Sequence, residues 1–176
     1  MPTPILAILN DTLRRMVPLA SIVLLLALSL APVPGARALG LAATLPPLAL
    51  MGVFYWAVYR PDRFGIVAAF GIGALADLLM GAPVGVTAFL YAATQRLVRQ
   101  QQRLFKGGTF VLLWTGYMAV QLSVGALQWA VWSWLAHTAY PLTPFAVQLA
   151  LGLCLFPPVY FGLSRLHATF LHHQAL

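Results

Sequence analysis

The chain has 176 residues, of which 61% are hydrophobic and only 7% charged, against about 25% charged in a typical soluble domain. So few charges cannot cover a water-facing surface, which excludes a cytosolic enzyme and a disordered tail. The single cysteine, Cys154, excludes an intrachain disulfide and a thiolate metal cluster, and so a disulfide-built secreted module.

Six apolar segments follow one another. The first, 16–32, comes after Arg14-Arg15 and before Ala36-Arg37-Ala38. That order resembles a secretory signal, but five more apolar segments follow, so it reads as an uncleaved first helix. The second, 39–59, exceeds the roughly 20 residues needed to cross hydrocarbon, and Pro46-Pro47 is expected to kink it. The third and fourth, 64–80 and 84–97, are short and joined only by Gly81-Ala82-Pro83. They are expected to form a tight helical hairpin, either spanning or re-entrant. The fifth, 109–136, and the sixth, 144–163, are long enough to span, with Pro157-Pro158 a second expected kink.

The basic residues set the orientation. Arg14, Arg15, Arg60, Arg63, Arg96, Arg99, Arg103, Lys106 and Arg165 fall on one side of this scheme, and only Arg37 on the other. Short loops rich in lysine and arginine stay in the cytoplasm. The expectation is an all-α polytopic membrane protein, a single integral domain over residues 1–176. It has six transmembrane helices with both termini cytoplasmic. Topology accounts for the net charge of +7, so nucleic acid is not an expected partner. Tyr55, Trp56, Tyr59 and Trp114 at the inner side, with Trp129, Trp132, Trp134 and Tyr140 at the outer, suit interfacial aromatic belts.

Asp77 is the acid within a span; Asp11 and Asp62 sit beside arginines in flanking loops. An intramembrane carboxylate is costly and invites a functional reading. Gly65, Ala69, Gly73, Asp77 and Gly81 recur every four residues, a small-residue stripe that lets another helix approach closely. Asp77 therefore faces protein. It is either a proton, cation or partner-binding group, or a structural acceptor for the hairpin tip or a neighbouring helix. The faces Thr87, Tyr91, Thr94, Gln95 and Tyr117, Gln121, Gly125, Gln128, Trp132 suit interhelical hydrogen bonds or a small lined cavity. Segment 96–106 is basic and amphipathic, with Arg96, Arg99 and Arg103 on one helical face. With Lys106 it suits a helix lying on an anionic inner leaflet, or docking to an acidic cytoplasmic protein. His167, His172 and His173 are placed in the tail, and Cys154 packs mid-helix. No acid pair, nucleophile–base motif, metal-ligand set or phosphate loop is present, so no enzyme, cofactor or metal is expected.

Several stretches together resemble the MreD family of rod shape-determining membrane proteins. They are Tyr59-Arg60-Pro61-Asp62, the motif running from Asp77 through Gly81-Ala82-Pro83 to Gly85, and the basic run 99–106 with the Trp-containing span after it. Gln128-Trp129 and the proline-bearing last span also fit. The resemblance implies a noncatalytic subunit of the bacterial cell-elongation machinery in the cytoplasmic membrane. It implies association with MreC, which has one membrane helix and a periplasmic domain. That assembly connects MreB filaments with peptidoglycan synthesis by RodA and its transpeptidase partner. Gly65, Ala69, Gly73, Asp77, Gly81, Ala82 and Pro83 are then expected to shape the MreC-binding surface, and Arg96, Arg99, Arg103 and Lys106 to meet lipid or filament. The family also resembles, in fold, the substrate-binding membrane subunits of energy-coupling transporters. That likeness concerns fold and is no evidence for transport; the alternative reading is a small-molecule carrier or such a binding subunit, with Asp77 facing a cavity.

Overall fold

The structure is a computed structural model that describes residues 4–30 and 46–171, with side chains for 16–30 and 46–169. Its helices are α1 (Pro4–Leu30), α2 (Leu48–Tyr59), α3 (Ile66–Met80), α4 (Val86–Gln100), α5 (Gln102–Lys106), α6 (Phe110–Leu135) and α7 (Thr143–Leu171), and the described residues include no strand. The start of the second expected span, Arg37, and His172-His173 lie outside the described residues.

Helix α2 is the centre. Its sequence is apolar on every side, and every residue from Leu48 to Val58 is buried, one of the two surroundings, protein or lipid, that suit an all-round hydrophobic helix. Around it pack α1, α4 and α7, with smaller contacts from α5 and α6. Pro46-Pro47 does not bend a described helix here. It precedes α2, with Pro47 at the N-cap position, where the missing N–H costs nothing. Gly52 brings α1 close: a Cβ there would stand 3.0 Å from Ile22 Cγ1 and 3.1 Å from Leu25 Cδ1. At 12 residues, α2 is about 18 Å long, while among the described residues α6 and α7 are long and apolar enough to cross a membrane by themselves.

The fourth segment runs on to Gln100, so Arg96 and Arg99 belong to α4 and not to a separate surface helix. The chain bends at Gln101 (φ −99°, ψ 7°), and only Arg103 and Lys106 fall on the short α5. Phe105 anchors that turn, its ring edge-on to Phe54 at 5.7 Å and pressed against Gly116. The last helix extends well past residue 163, through both prolines. Pro157 has no N–H for the Leu153 carbonyl, and Trp114 Nε1 donates to that carbonyl instead, at 3.3 Å.

Arg60, Arg96, Arg99, Arg103, Lys106 and Arg165 gather at one end of the bundle, the end where α2, α4 and α7 finish and α6 begins. The exterior between the ends is apolar, with Leu24, Val67 and Phe89 among its exposed side chains. Lipid tails are as apolar as these residues, so helix packing here rests on dispersion and interhelical hydrogen bonds.

Candidate functional site

The α3–α4 hairpin is the most extensive helix pair in the fold, and its sequence explains why. Gly73 faces the other backbone directly: a Cβ there would stand 2.7 Å from both Ala88 N and Thr87 O and collide with Ala88 Cα. Only glycine permits that approach. Ala69 and Asp77 are buried on the same stripe. Gly65 is half-buried and touches nothing across the stripe. The turn itself needs two left-handed residues. Gly81 ends α3 at φ 66°, and Gly85 starts α4 at φ 114°, conformations that side-chain-bearing residues adopt at a cost.

Gly85 has no side chain to cap α4, and Asp77 does that work from across the hairpin. Its carboxylate accepts the Gly85 N–H at 2.8 Å (Oδ2) and the Thr87 N–H at 3.2 Å on both oxygens; the Ala88 N–H lies at 3.4 Å. These are the amides that the first helical turn leaves without partners. The negative charge also meets the positive end of the helix dipole. Asp77 is 0% exposed, so neither lipid nor water satisfies the carboxylate in place of those amides. The structural alternative for Asp77 is the one the geometry fits. At the opposite end of the hairpin, Gln95 Nε2 donates to the Phe64 carbonyl at 2.8 Å. The pair is thus tied at tip and base. Gly81 and Pro83 stand exposed at the tip, with Ala82 partly covered.

A second cluster lies at the basic end. Trp56 is wholly buried, donates to Ser21 Oγ at 2.8 Å and stacks on His167. It is a core residue, not part of an interfacial belt, and Tyr55 beside it is buried too. His167 belongs to α7 rather than to a tail. Arg60 Nε donates to its Nε2 at 3.3 Å, and its Nδ1 lies 3.3 Å from Tyr55 Oη. Arginine is always a donor, so in this contact Nε2 is the acceptor. Tyr59 and Tyr160 share a 3.0 Å hydroxyl contact. The cluster joins α2 to α1 and α7. Sequence reasoning missed it, although Phe156, Tyr160 and His167 share a helical face that the pattern would have revealed had the last helix been drawn longer.

The polar faces of α4 and α6 turn inward. Thr87, Tyr91, Thr94 and Gln95 are buried, and Gln121 donates to the Gln148 carbonyl of α7 at 2.9 Å, lying against Gly152. Beside it opens a cleft of about 310 Å³ lined by Leu50, Gln128, Trp129 and Phe145 among others. Arg96, Arg99, Arg103 and Lys106 are all exposed. Cys154 is exposed as well, and does not pack in the core.

No curated protein and no solved structure matches the chain. A family model, that of the rod shape-determining protein MreD, matches residues 10–166. That match takes in the hairpin, the capping aspartate and most of the basic end, and by it the chain belongs to the MreD family of membrane proteins with a role in rod-shape determination.

Proposed function

We propose that the chain is a noncatalytic, multi-pass subunit of the bacterial cell-elongation machinery in the cytoplasmic membrane. It binds MreC and helps couple MreB filaments to peptidoglycan synthesis by RodA and its transpeptidase partner. Six crossings with both termini in the cytoplasm place the hairpin tip outside and the basic end inside. Short α3 and α4 then cross with help from snorkelling arginines and local thinning of the bilayer.

The observation that carries this reading is the use made of Asp77. Its acceptor positions are committed to the α4 amides, which suits a rigid scaffold better than a proton or cation carrier. In this reading Ala69, Gly73 and Asp77 hold the hairpin rigid, and Gly81, Ala82 and Pro83 present its tip to MreC where that chain leaves the membrane. Arg96, Arg99, Arg103 and Lys106 face the inner leaflet and the filament side.

The test is a gentle-detergent pull-down of the tagged chain from its own membranes, with partners identified by mass spectrometry. Recovery of MreC, and its loss with Asp77→Ala and Gly73→Leu, is the expected result. Unchanged MreC recovery with both variants would remove the hairpin from the interface. Recovery of an ATPase with a coupling subunit would overturn the scaffold reading altogether.

A further inference from the structure

Helices α4 and α6 touch only lightly, and between them lies a cleft of about 270 Å³ that opens to the exterior. Leu97, Gln101, Phe105, Gly116, Ala119 and Ser123 line it, with Leu127 at its far end. Leu97 and Leu127 are 59% and 54% exposed, so the cleft is an uncovered apolar surface. The lining stretch of α6, from Gly116 to Leu127, is about 16 Å long at 1.5 Å per residue. That is about half of a 30 Å hydrocarbon core, the depth of one leaflet. A partner helix crossing the whole bilayer would need a seam about twice as long.

Gln101 and Phe105 line the cleft at the basic end of the bundle. Four exposed cations flank that end in sequence: Arg96 beside Leu97, Arg99 beside Val98, and Arg103 and Lys106 around Phe105. No acid lies between residues 78 and 176 to offset them. An apolar slot one leaflet deep, with exposed cations next in sequence to its lining residues, suits an amphiphile with an anionic head. The geometry points to a bound anionic phospholipid, with an acyl chain in the α4–α6 cleft and its phosphate on Arg103 and Lys106. This deepens the proposed leaflet contact and rests on the basic end facing a leaflet, not on any role in cell elongation.

Native mass spectrometry of the full-length chain tests it, with phosphatidylglycerol or phosphatidylethanolamine added to the detergent. Phosphatidylglycerol should be retained in preference. Arg103→Gln with Lys106→Gln should weaken retention roughly fivefold per charge removed. Ala119→Leu with Ser123→Leu fills the cleft from exposed positions and should weaken it with every charge in place. Arg165→Gln, on α7 away from the lining, should leave it unchanged. Equal retention of the two lipids would overturn the proposal. So would an effect of the charge variant without one from the filled cleft, which would mean a diffuse basic surface. Intact lipid retention by the filled variant, with loss of a membrane protein from its separate pull-down out of native membranes, would assign the cleft to a partner helix and refute the lipid site. Because the assay uses the isolated chain, its outcome is independent of whether MreC is recovered in the pull-down.

Discussion

Replacing Asp77 tests the trans-hairpin cap most directly. In Asp77→Ala the Gly85 and Thr87 N–H groups lose their acceptor, the Thr87 amide in a buried site and the Gly85 amide in a partly buried one. A buried unsatisfied amide costs about 2 kcal/mol, so the loss is about 4 kcal/mol before any relaxation of the tip. Asp77→Asn keeps the shape and one acceptor oxygen but removes the charge. Hydrogen bonds to a charged group exceed neutral ones by about 1 kcal/mol each, so two bonds predict a loss of about 2 kcal/mol. The assay is unfolding by sodium dodecyl sulfate in mixed micelles, followed by tryptophan fluorescence, for wild type and both variants. The expected order is wild type above Asn above Ala, with steps of similar size. An alanine variant as stable as wild type would show that the amides find other partners, and an asparagine variant no better than alanine would show that the cap does not act through its acceptor oxygens.

Three further outcomes follow from the packing. Gly73→Ala should destabilise by about 2 kcal/mol despite better helix propensity, because its methyl group meets the α4 backbone; the same titration reads it. Trp114→Phe removes the donor to the Leu153 carbonyl and should cost about 1 kcal/mol, the usual worth of a polar contact between membrane helices. The cost should vanish in a Pro157→Ala background, where the helix supplies its own donor, so a double-mutant cycle decides the point. Trp56→Phe should destabilise by about 2 kcal/mol through a lost bond to Ser21 and a cavity, whereas Trp134→Phe, at a position 75% exposed, should change stability by less than about 0.5 kcal/mol.

Much of the helical layout was legible because spans, breaks and charges leave direct marks. Gly81-Ala82-Pro83 announced the hairpin turn, and the fifth segment matched α6 within a residue at each end. The basic loops came together at one end of the bundle. The errors have a common origin. Trp56 read as an interfacial ring, and Cys154 as a core residue, because an apolar helix in a membrane has two apolar surroundings. Hydropathy does not distinguish lipid from protein. The same ambiguity hid α2, whose apolar sequence suits a lipid-facing span as well as the buried centre it forms.

The sequence by itself determined that the chain belongs in lipid, where most of its helices break, that the described cations gather at one end, and that Asp77 must face protein. Each is a local property, fixed by the transfer cost of a side chain or by the φ limits of glycine and proline. Only the tertiary structure decided which partner each polar group takes. Asp77 is eight residues before Gly85 in the chain, yet it caps the helix that glycine begins. Trp114 reaches a carbonyl that Pro157 leaves free on another helix, and His167 joins a cluster 107 residues from Arg60. In hydrocarbon an unpaired polar group has no water to turn to, so these long-range pairings hold the helices in one arrangement, and no local pattern encodes them.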